Sequence, residues 1–201
     1  MNFKVPFNWF DMALIALLVA GIFRGRKRGM SVEFLTVLKW LFVVFGASAL
    51  YQPLGDVIYS SNIFSQLFSY IVAYLGIGLV ILGLFALFSR SLGGKLLGSD
   101  FFGSAEYPLG MTAGLIRVAC VIVAVLALLN ARAFTPAEIK AEQKYQNDNY
   151  GSDFFPTLHS VQSDVFERSL TGPWIKKNLG FVLIKPTVMV QKGLRRQTAF
   201  R

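Results

Sequence analysis

The sequence has very few residues with reactive side chains. Its 201 residues include one Cys and one His, which excludes a disulfide framework within the chain and a structural zinc site built from Cys and His. Charged residues are also scarce, at 15%, whereas 54% of the residues are hydrophobic. This balance argues against an ordinary soluble protein.

The longest region without charge indicates the class of protein. Residues 57–89 contain no Asp, Glu, Lys or Arg, and this run is longer than the roughly 20 residues that a membrane-spanning helix needs. Further apolar runs accompany it, so the sequence predicts an all-α, polytopic membrane protein with four transmembrane helices. The predicted spans are residues 7–23, 30–51, 65–89 and 107–130.

The regions between the predicted spans contain residues that end helices. Pro53, within residues 52–56, predicts a break after the second span, with residues 57–64 lying along the outer interface. Residues 90–106 contain four glycines and predict a flexible or re-entrant connection.

The composition changes after residue 130, which predicts a domain boundary. A four-helix transmembrane domain would occupy residues 1–130, and an extramembrane tail would occupy residues 131–201. Apolar residues recur at helical spacing between 158 and 170, and a second apolar patch covers 174–184. We expect short amphipathic helices there that lie on the membrane or pack on the bundle, with a partly ordered tail as the alternative.

The positive charges predict the orientation of the chain. Four of the nine Lys and Arg residues before residue 130 form one cluster of Arg24, Arg26, Lys27 and Arg28. A cluster between two apolar runs is typical of a cytoplasmic loop, so we expect both termini outside. Basic clusters also bind nucleic acid, but this position between apolar runs favours the lipid bilayer as the partner and argues against nucleic acid.

Three charged residues fall near the middle of the predicted spans. At about 1.5 Å per residue, Asp11, Lys39 and Arg117 lie roughly 13–18 Å from the inner surface. Charges at this depth tend to pair or to line a water-filled cavity. We therefore hypothesise a polar cluster of Asp11 with Lys39 or Arg117, although both cations could instead extend to the headgroups. Glu33, roughly 5 Å deep, is either within reach of Arg117 or interfacial.

Small residues predict close helix packing. Gly110 and Gly114 form a GxxxG motif in the fourth span, and such a motif lets helix backbones approach closely. We expect Gly76 and Gly83 on the third span to serve the same packing. Cys120 is expected to be a small apolar residue of the fourth span.

The sequence offers little for catalysis. His159, Ser160 and Asp164 could form a hydrolytic set, but nothing marks an oxyanion hole, so a surface histidine is the better interpretation. We expect a protein that is not an enzyme and that has no metal or cofactor.

Three blocks of residues occur in an order and spacing that resemble the colicin V production protein family, CvpA. The blocks are Asp11 in the first span, then Arg28, Gly29, Glu33 and Trp40, and finally Gly110, Gly114 and Arg117. The resemblance covers about residues 8–130 and leaves the tail outside. It departs from the family at Glu106-Tyr107, where an Asp-Arg is common, and at Val118, where a Gly is common.

The resemblance implies a bacterial inner-membrane protein of several spans, which would place the tail in the periplasm. The family is named for a requirement in producing and exporting a peptide toxin, and it is associated with envelope homeostasis. No enzymatic activity or cofactor is established for it. Matched by position, the residues implied for function or fold are Arg28, Gly29, Glu33, Gly110, Gly114 and Arg117.

Two functions of different classes follow. The first is an accessory or scaffold protein that acts with other envelope or secretion proteins. The second is a small channel or transporter, as a homo-oligomer, with a pathway lined by Asp11, Lys39 and Arg117. Flux of ions or solutes through purified protein distinguishes the two.

Overall fold

The computed structural model describes residues 7–96, 102–151 and 156–189. The prediction of an all-α protein is confirmed, because seven helices account for nearly all regular structure in these residues. The elements are α1 (Trp9–Arg28), α2 (Met30–Ser60), α3 (Gln66–Leu96), a 3-10 turn (Gly103–Ala105), α4 (Glu106–Asn130), β1 (Arg132–Ala133), α5 (Pro136–Tyr150), α6 (Leu158–Phe166), α7 (Gly172–Asn178) and β2 (Thr187–Val188).

Three helical segments are long and apolar enough to cross a membrane. They are Met30–Ser60, Gln66–Arg90 and Gly103–Asn130, which correspond to the second, third and fourth predicted spans. The first predicted span forms α1, but this helix carries Asp11 in its first turn and a basic cluster at its end. These charged residues distinguish α1 from the three apolar segments. A fourth span, formed by α1, stays a prediction.

The long helices pack in a row. α4 lies between α1 and α2, and α3 packs mainly against α2. The outer faces of the row expose large apolar side chains such as Leu79 and Leu87, as expected for surfaces that contact lipid acyl chains. α1 and α2 follow each other in sequence but have few contacts, because both pack against α4.

Glycines allow α1 and α4 to meet backbone to backbone. A Cβ atom on Gly25 would lie 2.9 Å from the Cα of Gly114, and one on Gly114 would lie 2.8 Å from the Cα of Gly25. The GxxxG motif therefore packs against α1, where Gly21 and Gly25 repeat its spacing. The expectation for Gly76 and Gly83 is wrong, because a Cβ on either would meet nothing within 4 Å.

The predicted helix break at Pro53 is wrong. α2 continues through this proline to Ser60, so residues 57–60 form its last turn instead of lying along an interface. Proline removes one backbone hydrogen bond from a helix interior, and packing against α3 offsets that loss. Tyr70 of α3 packs against Gly55, and its hydroxyl donates to Asp56 Oδ1 at 2.9 Å.

The tail folds onto one end of the bundle. Val165, Phe166 and Ile175, from α6 and α7, share one hydrophobic core with residues of all four long helices. β2 pairs in parallel with β1, directly after α4. The short helices expected in the tail are present. We expected them either on the membrane or packed on the bundle, and the structure has them packed on the bundle.

The segment after α7 enters the bundle between α2 and α4. Val182 is 2% exposed and lies in a cluster with Val44 and Cys120, which confirms Cys120 as a buried apolar residue. Three hydrogen bonds fix the segment: Ser48 Oγ to Phe181 O at 3.0 Å, Asn130 Nδ2 to Ile184 O at 2.9 Å, and Lys185 N to Tyr51 Oη at 3.0 Å. This segment of the tail is therefore part of the interior of the bundle.

Candidate functional site

The junction of α1 and α2 is built around Gly29. This residue has a φ of 76°, a conformation that favours glycine, and a Cβ there would lie 2.5 Å from Glu106 Oε1. The space is needed because the Glu106 carboxylate accepts from the backbone N–H of Ser31 at 2.7 Å and from its hydroxyl at 2.9 Å. Glu106 of α4 thus caps the amino terminus of α2.

Glu33 lies in the first turn of α2, beneath this cap, and is completely buried. Arg117 of α4 places its Nε 3.4 Å from Glu33 Oε2. Arg28, at the end of α1, places its Nη1 3.5 Å from Glu33 Oε1. One buried carboxylate therefore joins three helices, and we call Arg28, Glu33 and Arg117 the charge cluster.

Arg28 Nη1 donates a hydrogen bond to Glu33 Oε1, whereas ionic attraction alone joins Arg117 to Glu33. The contact between Arg117 Nε and Glu33 Oε2 lacks hydrogen-bond geometry, and both atoms are buried with no hydrogen-bond partner. The side chain of Arg117 is 12% exposed and that of Arg28 is 39% exposed. Burying an ion costs several kcal/mol of desolvation, and the two guanidinium groups beside the Glu33 carboxylate offset part of that cost.

Asp11 lies at the other end of α1. It is 1% exposed and forms a capping box with Asn8. Its carboxylate also accepts from the tail: from Leu170 N at 3.0 Å, from Thr171 N at 3.1 Å and from Thr171 Oγ1 at 2.7 Å. Asp11 therefore holds the loop between α6 and α7 on the start of α1, and we call this contact the tail latch.

The hypothesis of a cluster joining Asp11 to Lys39 or Arg117 is wrong. Backbone N–H groups of the tail donate hydrogen bonds to the Asp11 carboxylate, and Arg117 contacts Glu33 at the opposite end of α1. Helical side chains lean toward the amino end of their own helix, which carries the Arg117 guanidinium back toward Glu33. Lys39 is partly exposed and has no ion-pair partner in the described part of the chain.

Sequence reasoning missed Glu106, Ser31 and Thr171. Asn8 and Asp11 have the three-residue spacing of a capping box, and this signal could have placed Asp11 at a helix start. No comparable local signal pairs Thr171 with Asp11, because the two residues are 160 positions apart. Across the described ranges, no group of three or more His, Cys, Asp or Glu side chains could hold a metal ion.

The fold and the buried charges define a multi-pass, α-helical membrane protein whose polar interior residues join its helices. Within that class the chain belongs to the colicin V production protein family, because the family model matches residues 10–177. No curated protein and no solved structure matches the chain. The match includes α5 and α6 and all but the last residue of α7, so the prediction that the tail lies outside the family resemblance is wrong for residues 131–177.

The first prediction concerns the charge cluster. Glu33→Gln leaves Arg117 buried without a counter-ion, so we expect a loss of roughly 3–5 kcal/mol in stability. Glu33→Gln combined with Arg117→Met removes both charges and should recover most of the loss. Thermal unfolding of the purified protein in detergent measures both. Arg168→Met, which breaks an exposed ion pair with Asp164, is the control and should change stability by less than about 1 kcal/mol. Additive losses in the double variant would contradict the pairing.

The second prediction concerns the tail latch. Asp11→Asn removes the charge that accepts three hydrogen bonds from the tail, so the tail should open more often. The single Cys reports this opening, because Cys120 is buried in one cluster with Val182 of the tail. We expect maleimide labelling of the folded protein in detergent to accelerate roughly tenfold or more. Asp148→Asn, on the exposed face of α5, should label at the rate of the unchanged protein, and equal rates in both variants would contradict the latch.

Proposed function

We propose that this chain is an accessory protein of the bacterial inner membrane that supports the production or export of a peptide toxin and the integrity of the envelope. Membership of the colicin V production family supports the link to toxin production. In this proposal the protein acts by holding other envelope or secretion proteins, or further copies of itself, and not as an enzyme.

The observation that carries this proposal is the burial and charge compensation of Glu33 in the charge cluster. Glu33 is 0% exposed and its charge is compensated by two arginines. Farther along α4, Cys120 and Val44 are buried with Val182 of the tail, which fills the space between α2 and α4. Ions in a conducting pathway need water or polar ligands along their route, so a filled apolar interior supports a structural role over conduction.

The third prediction tests the accessory role against the channel alternative. In liposomes the purified protein should release no more entrapped ions than protein-free liposomes, while an added pore-forming peptide should release them fully. Chemical crosslinking in native membranes, followed by purification, should recover a fixed partner in stoichiometric amounts. Ion flux that Arg117→Gln abolishes would contradict the proposal and favour a channel lined by intramembrane charges.

We further propose four spans, with both termini and the tail in the periplasm. The tail packs at the start of α1, whereas the basic residues Arg24 to Arg28 lie at its other end. If α1 crosses the bilayer, the tail and the basic cluster lie on opposite sides. The excess of Lys and Arg in cytoplasmic loops then assigns the basic end to the cytoplasm.

The fourth prediction tests this orientation. A phosphatase reporter that is active only in the periplasm, fused after Arg201, should be active in cells. A reporter that fluoresces only in the cytoplasm, fused at the same position, should be silent. The same pair of reporters fused after Lys27 should give the opposite pattern. An active cytoplasmic reporter after Arg201 would overturn the orientation.

A further inference from the structure

A polar pocket lies where the tail meets the end of α4. Its volume is about 210 Å³. β1, α6 and α7 form most of its wall, and its lining includes Arg132, Phe134, His159, Gln162, Glu167 and Lys176. None of them belongs to the charge cluster or to the tail latch, so the pocket is a separate feature of the molecule.

Two cations line this pocket without a counter-ion. No carboxylate of the described residues lies within 4.0 Å of the charged nitrogens of Arg132 or Lys176. The Nε of Arg132 is buried and has no hydrogen-bond partner. A buried guanidinium nitrogen normally has an acceptor, and the described residues supply none for Arg132 Nε.

Aromatic stacking holds the Arg132 guanidinium in place. Its Cζ lies 4.4 Å from the centroid of the Phe134 ring, a distance typical of a cation–π contact. The Phe134 ring meets the edge of His159, with centroids 5.4 Å apart. Lys176 has a similar but longer contact, with its Nζ 5.8 Å from the Phe166 ring. These contacts orient both cations and leave their hydrogen-bond donors free for a ligand.

The backbone around Arg132 is also fixed. The side-chain amide of Gln162 donates to Leu129 O at 3.1 Å and to Arg132 O at 2.9 Å. Arg132 is also paired with Thr187 in the two-stranded sheet. A site held in this way loses little conformational entropy when a ligand binds.

One carboxylate lies on the same wall. Glu167 accepts a hydrogen bond from Ser163 Oγ at 3.0 Å. With Arg132 and Lys176 opposite this single negative charge, the lining carries a net positive charge. It therefore favours an anion.

If α4 crosses the bilayer, the pocket lies near the lipid headgroups. Arg132 is two residues beyond the end of α4, which is one of the helices apolar enough to span the bilayer. Trp9 and Trp174, which are 50% and 61% exposed, belong to the same end of the molecule. Exposed tryptophan is favoured at the membrane–water interface, which agrees with this depth.

We propose that this pocket binds a phosphate group, with Arg132 and Lys176 as its ligands. Guanidinium and ammonium groups are the usual protein partners of phosphate. The phosphate can belong to a phospholipid headgroup or to a free anion. The proposal concerns the outer end of the bundle and does not depend on the accessory function.

The fifth prediction tests the pocket with the full-length protein in detergent. Two probes are titrated at constant ionic strength: inorganic phosphate, and phosphatidylglycerol added as mixed micelles. A glycolipid with the same acyl chains and no phosphate is the lipid control. Binding is followed by native mass spectrometry and by the rise in melting temperature that a ligand of the folded state produces.

The variants separate the pocket from general surface charge. Arg132→Gln and Lys176→Gln should each weaken binding about tenfold, which corresponds to about 1.4 kcal/mol. Lys177→Gln removes the same charge from the neighbouring position of α7, outside the lining, and should leave binding unchanged. Arg132→Lys keeps the charge, and it should bind better than Arg132→Gln if the fold is intact in both.

The two probes distinguish a lipid phosphate from a free anion. Binding of phosphatidylglycerol but not of the glycolipid supports a lipid phosphate, and binding of inorganic phosphate alone supports a free anion. An equal loss in Lys176→Gln and Lys177→Gln would overturn the pocket in favour of diffuse attraction. Binding of neither probe to the unchanged protein would also overturn it, whatever the outcome of the liposome experiment.

Discussion

The direct contact between the backbones of α1 and α4 is the constraint on which the other contacts depend. Gly25 and Gly114 meet at distances that leave no space for a Cβ atom. This contact sets the distance and the rotation of α4 relative to α1. Arg117 then faces Glu33, one turn beyond the glycine motif, and Glu106 reaches Ser31 at the start of α2. The polar contacts at this end are therefore available only because the helices approach so closely.

Residues from distant parts of the chain form hydrogen bonds with the backbone groups at the helix ends. Helix termini leave backbone groups without partners, and such groups are costly near lipid. Glu106 supplies acceptors at the start of α2, and Gln162 of the tail donates to Leu129 O in the last turn of α4. Thr171 reaches the first turn of α1 through Asp11. The family match through residue 177 includes these tail residues, so residues 131–177 of the tail belong to the region that the family shares.

Local pattern predicted the residues that act between neighbouring helices. The GxxxG motif of Gly110 and Gly114 predicted close helix packing, and the structure has this packing against α1. Of the two alternatives for Glu33, the structure has the one in which it lies within reach of Arg117. The position of Asp11 could not be obtained in this way. Depth along a helix gives no information on which residues cover its end, and the tail that covers Asp11 is 160 positions away. The helix break predicted at Pro53 is wrong for a related reason. Packing of α2 against Tyr70 of α3 outweighs the local preference for a break.

The tail and the charge cluster are close although they belong to opposite ends of the bundle. Val182 of the tail shares a buried cluster with Cys120, and Cys120 lies three residues from Arg117, about 4.5 Å along the axis of α4. Lifting the tail would therefore uncover the bundle interior within one turn of a buried charge. A charge exposed to a new dielectric changes its interaction energy by several kcal/mol. Because Arg117 lies within one turn of the position where Val182 packs on α4, water that entered there would change the energy of the charge cluster.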